Sequence, residues 1–149
     1  MHSGPDRPRL AEHFAFWSSL SLIELCTCLR ERFHLPEFEY GSENDTEWAL
    51  VSRGGLEYNV SCPYEDGTLQ EWDSSVPPDC NVGFTLSIST EAVEPRDAQQ
   101  SSAELVPRIG QALADLFAEP VHHHRTWLGP GENITRTQVF RPKLPAKQC

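Results

Sequence analysis

The sequence has few of the features that usually identify an enzyme or a membrane protein. It contains no run of about 18 apolar residues that could span a bilayer, and its opening, MHSGPDRPRL, lacks the apolar stretch of a secretory signal. It also lacks a glycine-rich phosphate-binding loop, a G-x-S-x-G nucleophile motif and an H-E-x-x-H zinc motif. We therefore expect a cytoplasmic protein that is not an enzyme, uses no cofactor and does not bind membranes.

Cysteine is also scarce, with five residues at irregular spacing. An odd number at irregular spacing is not typical of a disulfide framework, and cytoplasmic thiols are usually kept reduced. We expect free thiols, with Cys26 in the core. None of the cysteines lies in a recognisable nucleophile context with a paired base.

Length and composition predict one domain. With 149 residues, of which 38% are hydrophobic, the chain is long enough to bury a core without disulfides or metals. We expect a single domain over residues 1–149. Residues 1–17 and 141–149 are candidates for flexible tails.

Two helices are predicted from apolar spacing and capping residues. Ser21 and Glu24 have the spacing of a capping box, and apolar residues at helical spacing follow, which predicts a helix over residues 21–34. A second apolar series precedes Pro120. Because Pro107 is tolerated only in a first turn, this helix is expected to begin near residue 106.

The other elements are predicted strands. Alternating apolar residues indicate strands near residues 38–40, 47–53, 56–62 and 82–88, with one or two more within 121–140. Residues 63–80 are expected to form a long loop. This order favours an α+β fold, in which an antiparallel sheet of about five strands has two helices packed on one face. The other face would be free, and we expect binding there.

Basic residues are almost missing from one segment. Residues 37–73 carry ten carboxylates and one base, Arg53, a balance of −9, whereas the whole chain has a net charge of −10. A field of this sign repels nucleic acid phosphates and anionic headgroups and attracts basic surfaces. We therefore expect a protein partner with a basic surface and no nucleic acid.

Aromatic residues are interleaved with this charge. In EFEYGSENDTEW, residues 37–48, five carboxylates accompany three aromatic rings. Rings surrounded by charge are typical of interface hot spots, although charged strands commonly form only a solvated face that keeps a protein soluble. The predicted partner-binding residues are Glu39, Glu43, Asp45, Glu47, Trp48, Asp66, Glu71, Trp72 and Asp73.

The histidine run at residues 122–124 is the weak candidate for a metal site. His122 and His124 would share one face of a strand, but two ligands do not make a site. Glu119 and Glu132 could supply a third ligand only if folding brought them close. The alternative interpretation is three polar strand residues without a metal.

A resemblance adds to these observations. EFEYGSENDTEW, GLEYNVS and RTWLGPGENI look like the marked segments of an uncharacterised bacterial domain family. A small acidic α+β domain with its charge collected on one sheet and one loop also resembles the immunity proteins with which bacteria neutralise their own polymorphic toxins, many of them basic nucleases. The resemblance implies a protein that binds a toxin domain and covers its active site.

Two alternatives stay open at this point. The first is a small enzyme or ligand-binding domain that uses His122, His124 and Arg125 in a cleft between sheet and loop. The second is a regulatory adaptor with a different protein partner, which would share the acidic interface.

Overall fold

The computed structural model describes residues 9–43, 45–53, 55–72, 76–89, 95–128 and 137–143; for residues 9–10, 72, 88–89, 95–103 and 125–128 it describes the backbone alone. The elements in chain order are β1 (Arg9–Phe16), α1 (Leu22–Phe33), β2 (Glu39–Ser42), β3 (Thr46–Arg53), β4 (Leu56–Pro63), α2 (Thr68–Trp72), β5 (Val82–Ser89), α3 (Pro95–Phe117), β6 (Val121–Leu128) and β7 (Thr137–Phe140).

The described strands form one antiparallel sheet with the order β2-β3-β4-β5-β1-β6-β7. Helices α1 and α3 pack on the same face, which we call the core face. Phe33 of α1 stacks on Phe84 with ring centroids 6.4 Å apart, and Phe117 of α3 stacks on Phe16 at 4.9 Å. The predicted α+β class is confirmed, with seven strands rather than about five and three helices rather than two.

The core lies between this face and the two helices because the strands alternate. In β5, Val82, Phe84 and Leu86 are buried, and the residues between them face the opposite side of the sheet. Leu25 and Leu29 of α1 and Leu113 of α3 are at most 1% exposed and cover the same face. Burying side chains of this size contributes about 1.5–3 kcal/mol each to stability.

The N-terminal segment is the main correction to the fold. Residues 9–16, within the expected tail, form β1, which is hydrogen-bonded between β5 and β6 in the middle of the sheet. Phe14 and Phe16 face the core, but the preceding core-facing position is occupied by Glu12. This charged residue interrupts the apolar alternation by which a strand is recognised.

Helix α1 begins as predicted. The Ser21 hydroxyl accepts a hydrogen bond from the Glu24 amide at 3.2 Å, and the Glu24 carboxylate accepts one from the Ser21 amide at 2.9 Å. These two hydrogen bonds hold the pKa of Glu24 below its ordinary value because they favour the ionised form. His34, with φ 56°, ends the helix in the left-handed conformation.

Helix α3 is longer than expected. It begins at Pro95 rather than near residue 106, so Pro107 lies inside it. Since proline has no amide hydrogen, Pro107 cannot donate the helical bond expected at its position. The expectation that proline occurs only in a first turn therefore placed the start of the helix too late. Near its end, Gly110 leaves room for the Phe140 ring, whose nearest atom would be 2.3 Å from an added Cβ.

Two β-hairpins agree with the sequence expectations, one predicted from the glycine pair Gly54–Gly55 and the other one of the two arrangements expected for residues 121–140. Gly55 has φ 81° in the turn between β3 and β4, a conformation that glycine adopts without strain. Strands β6 and β7 pair with Val121 opposite Phe140. No helix in the described residues combines the length and apolar character needed to span a bilayer.

The face opposite the core face is partly covered, which corrects the expectation that it is free. We call it the α2 face, because the segment expected to be a loop contains α2 and crosses it. Leu69 of α2 is buried and lies 3.5 Å from the Cβ position built on Gly83. The Gln70 side chain donates hydrogen bonds to the carbonyls of Pro77 and Cys80, which hold the rest of the segment in place.

Candidate functional site

The carboxylates of β2 and β3 lie at one edge of the sheet. Glu39, Glu43 and Asp45 are exposed, and Glu47 is half-buried. The turn that carries two of them is closed by a hydrogen bond of 2.8 Å from the Glu43 amide to the Thr46 carbonyl. Glu43 and Asp45 therefore lie together in the turn at this edge, whereas Glu39 on β2 and Glu47 on β3 project from opposite faces of the sheet.

The segment after β4 starts beside this edge and carries two further carboxylates, the second of them in α2, which crosses the α2 face. The Tyr64 amide donates to the Asp45 carbonyl at 3.1 Å, so this segment starts beside the β2–β3 turn. Asp66 and Glu71, which follow, are exposed. We call Glu39, Glu43, Asp45, Glu47, Asp66 and Glu71 together the acidic edge. Of the other predicted residues, Asp73 lies outside the described residues, as does the side chain of Trp72.

The charge of the acidic edge is not neutralised within the described part of the chain. None of its six carboxylates forms a salt bridge there. The one base in the acidic segment, Arg53, is at the far end of β3 and donates to the carbonyls of Phe33 and His34. The six charges therefore produce an uncompensated negative field at the surface.

Trp48 has a different position from the one predicted. It is half-buried, and its indole lies over Gly41 of the neighbouring strand, where an added Cβ would be 2.1 Å from the ring. The exposed large apolar side chains near this edge are Ile23 (65%), Tyr40 (47%) and Tyr64 (56%). Sequence reasoning missed Ile23 because it belongs to α1, outside the acidic segment, and its exposure depends on the helix orientation.

A groove runs between the start of α1 and the edge strand β2. Its volume is about 370 Å³, and Ile23 and Tyr40 line it together with Glu47. Burial is the main cause that raises the pKa of the Tyr40 hydroxyl. The groove therefore places apolar surface and a carboxylate side by side.

A second candidate site lies on the α2 face. His13 and His124 stack with ring centroids 4.6 Å apart, and His13 Nδ1 lies 3.2 Å from the Thr85 hydroxyl. Leu69 and Val76 cover these side chains and enclose a cleft of about 270 Å³, which we call the histidine cleft. A cleft between the sheet and the segment after β4 is thus present. The side chain of Arg125, which was expected to line such a cleft, is not among the described side chains.

His122 is not in this cleft but in an adjoining cavity of about 190 Å³. One ligand atom from each of Asp79, Cys80 and His122 lies within 4.8 Å of the other two. This cluster contains neither His124 nor Glu119, and it combines His122 with two residues of the segment before β5; Glu132 lies outside the described residues.

A buried polar pair lies on the core face below these cavities. His123 Nε2 is 2.7 Å from a Glu12 carboxylate oxygen, and both side chains have no exposed area. The Gln138 amide nitrogen is 3.2 Å from His123 Nδ1. Sequence reasoning missed the pair because its members are far apart in the chain, on strands β1 and β6.

The free thiols among the described residues are not activated as nucleophiles. Cys26, Cys62 and Cys80 are free, and burial raises the pKa of their thiols to about 11, 12 and 12. At neutral pH they are protonated and therefore poor nucleophiles. Cys28 is disulfide-bonded, which the odd number and irregular spacing of the cysteines did not indicate.

Comparison of the chain with protein-family models, with curated proteins and with solved structures finds no match. A functional assignment consequently depends on the geometry of the two candidate sites.

Proposed function

We propose that the chain is a binding protein that neutralises a basic toxin domain by covering its active site with the acidic edge. The observation that carries this proposal is the set of six carboxylates without cationic partners among the described residues. A solvated face needed only for solubility does not require exposed apolar side chains at the same place. Here Ile23, Tyr40 and Tyr64 are exposed around it.

The two kinds of side chain have different effects on binding. Exposed carboxylates attract a cationic domain over several ångströms and raise its association rate by about 10- to 1000-fold at low salt. Apolar side chains that become buried at the contact slow dissociation, since aromatic anchors contribute most of the affinity in many interfaces. The groove beside Glu47 offers a recess for a partner side chain, with Tyr40 and Ile23 on its walls.

The test is a charge reversal with a matched control. The acidic-edge variant carries Glu43→Lys, Asp45→Lys and Glu47→Lys. The control variant carries Glu31→Lys, Glu57→Lys and Glu104→Lys, three exposed residues that are not part of the acidic edge. Each reversal adds two positive charges, so both variants change from −10 to −4. Net charge is therefore identical, and only the position of the charge differs.

The assay is protection of bacterial growth against a toxin domain encoded by the gene beside this one. The wild type and the control variant are expected to protect, and the acidic-edge variant to lose protection and to leave the purified toxin uninhibited. Equal protection by both variants would exclude the acidic edge as the binding surface. A neighbouring gene that encodes no toxin would contradict the toxin assignment, and an adaptor with another basic partner would then be favoured.

The histidine cleft supports a second candidate, a small-ligand site. Its walls combine apolar side chains such as Leu69 with the polar groups of Thr85, His13 and His124, a mixture that is common in ligand pockets. Its volume of about 270 Å³ is slightly below the usual range of about 300–1,000 Å³. Ligand binding there would be unaffected by reversal of the acidic edge.

A further inference from the structure

We propose that Asp79, Cys80 and His122 form a zinc-binding site that ties the segment covering the α2 face to strand β6. This inference is independent of the acidic edge. It rests on the three ligand atoms that lie within 4.8 Å of one another, on the local fold that presents them and on the chemistry of the donors.

The register of the sheet explains how residues 42 positions apart meet. Gly83 of β5 is opposite Ala15 of β1, and Ala15 is opposite His122 of β6, so the three share one row on the α2 face. Glycine and alanine have almost no side chain, so this row of the sheet leaves space above it. The turn that precedes β5 can therefore approach the His122 ring, and it carries Asp79 and Cys80.

This turn is held in place by several hydrogen bonds. The Cys80 amide donates to the Pro77 carbonyl at 3.2 Å, and the Gln70 side chain donates to the Cys80 carbonyl at 3.1 Å. The Asn81 amide donates to the Phe16 carbonyl at 3.0 Å. The Asn81 side chain accepts a hydrogen bond from the Ser18 amide and donates one to the Ser18 carbonyl. Ligands on such a fixed backbone lose little conformational entropy when a metal binds.

The donor set fits zinc. Zinc in proteins is bound by thiolate, imidazole and carboxylate groups at about 2.0–2.3 Å, so tetrahedral ligand atoms lie about 3.3–3.8 Å apart. The observed separations require only side-chain rotation, which is easiest for the exposed Asp79. Three protein ligands leave one tetrahedral position for water, the arrangement of zinc sites with an open coordination position.

The thiol explains how binding must depend on pH. Burial and the neighbouring Asp79 carboxylate raise the pKa of Cys80 to about 12, so the metal-free thiol is protonated at neutral pH. Zinc binds the thiolate, and the thiol proton is released to solvent as the Zn–S bond forms. Zinc affinity is therefore expected to rise with pH.

The experiment uses the full chain without a histidine tag, titrated with Zn²⁺ by calorimetry and with Co²⁺ by absorption spectroscopy. We expect one metal per chain, a thiolate-to-cobalt charge-transfer band and a higher unfolding temperature with zinc. Cys80→Ser is expected to abolish the band, while Cys62→Ser, on the core face, retains it. Loss of a direct ligand in His122→Ala should weaken zinc binding by more than about 100-fold, since even outer-shell changes cost about 10- to 100-fold.

A second comparison of variants distinguishes this cluster from a metal site formed by the histidines at residues 122–124. His124→Ala is expected to keep zinc affinity, since His124 is not a member of the Asp79–Cys80–His122 cluster. If Cys80→Ser does not fold, as judged by circular dichroism, Asp79→Asn provides the test at an exposed position and should weaken binding. Absence of stoichiometric binding would overturn the proposal, as would binding that survives Cys80→Ser but is lost in His124→Ala.

Discussion

The acidic edge and the buried interior of the sheet hold titratable residues in opposite environments. At the acidic edge, Glu43 and Asp45 are exposed and have no ion-pair partner among the described residues. On strands β1 and β6, Glu12 and His123 are fully buried and lie 2.7 Å apart. Burial and pairing, rather than residue type, therefore determine whether a carboxylate contributes to binding or to the fold.

The energetic consequences differ accordingly. An exposed carboxylate is hydrated and can be replaced at a cost within about 0.5 kcal/mol, so its effect is expected on association with a partner. A buried carboxylate has lost its hydration, so removing one member of the pair leaves the other without compensation. Changes at Glu12 should therefore affect stability, and changes at Glu43 should affect binding.

The largest effect on stability is expected from Glu12→Ala. The variant removes the acceptor for buried His123 and leaves a cavity, which should lower the free energy of unfolding by about 3–5 kcal/mol. Chemical denaturation measures this loss. The control Glu57→Ala, at an exposed position of the same sheet, is expected to change stability by less than about 0.5 kcal/mol.

A double variant sharpens this result. Replacing both partners by leucine, in Glu12→Leu with His123→Leu, removes both buried polar groups at once. Stability is expected to recover most of the loss, because well-packed apolar residues often replace a buried ion pair without cost. A loss of less than 1 kcal/mol in Glu12→Ala would show that the pair is not a structural element.

An intermediate effect is expected from Gly41→Ala at the acidic edge. The added methyl group would meet the Trp48 indole at 2.1 Å and displace it from the edge strand. Overpacking of this kind costs about 1–3 kcal/mol. The same substitution in a Trp48→Ala background should cost much less, and equal costs in both backgrounds would contradict the contact.

The smallest effect is expected at the start of α1, beside the groove of the acidic edge. Ser21→Ala removes the cap of this helix and should lower stability by about 1 kcal/mol, as measured by denaturation. Ile23→Ser, at a helix position with 65% exposure, serves as a control that keeps the cap. A loss equal to that of the control would argue against the cap.

The cap also predicts a pH dependence. Because the pKa of Glu24 is lowered in the folded state from 4.5, its ionised form stabilises the fold above that value. This contribution is lost as pH falls through the depressed folded pKa. The stability difference between the wild type and Glu24→Gln is therefore expected to change below pH 4.5 and to be constant at neutral pH, as measured by denaturation across this range.

Local sequence signals predicted the elements whose conformation is determined by residues close together in the chain. The capping box of Ser21 and Glu24, the Gly55 hairpin turn and the alternation along β5 are all determined by short-range chemistry, and the structure confirms them. Glu43 and Asp45 are exposed, and their part in binding a partner stays a prediction.

Elements that depend on distant partners were not predictable. Strand β1 was missed because Glu12 is acceptable at a core position only when its carboxylate is hydrogen-bonded to His123, which lies 111 residues away in the chain. The Asp79–Cys80–His122 cluster requires the order of strands β5, β1 and β6 to be known. The half-burial of Trp48 depends on Gly41 in the paired strand.

Binding through the acidic edge is tested most directly by the association rate constant with the proposed toxin partner, measured against ionic strength. For the wild type and the control variant with Glu31, Glu57 and Glu104 reversed, we expect fast association at low salt that slows steeply as salt is added. For the acidic-edge variant with Glu43, Asp45 and Glu47 reversed, we expect association slower by about 10-fold or more at low salt and a weak salt dependence. Identical rate constants and salt dependences for the two variants would contradict binding through the acidic edge.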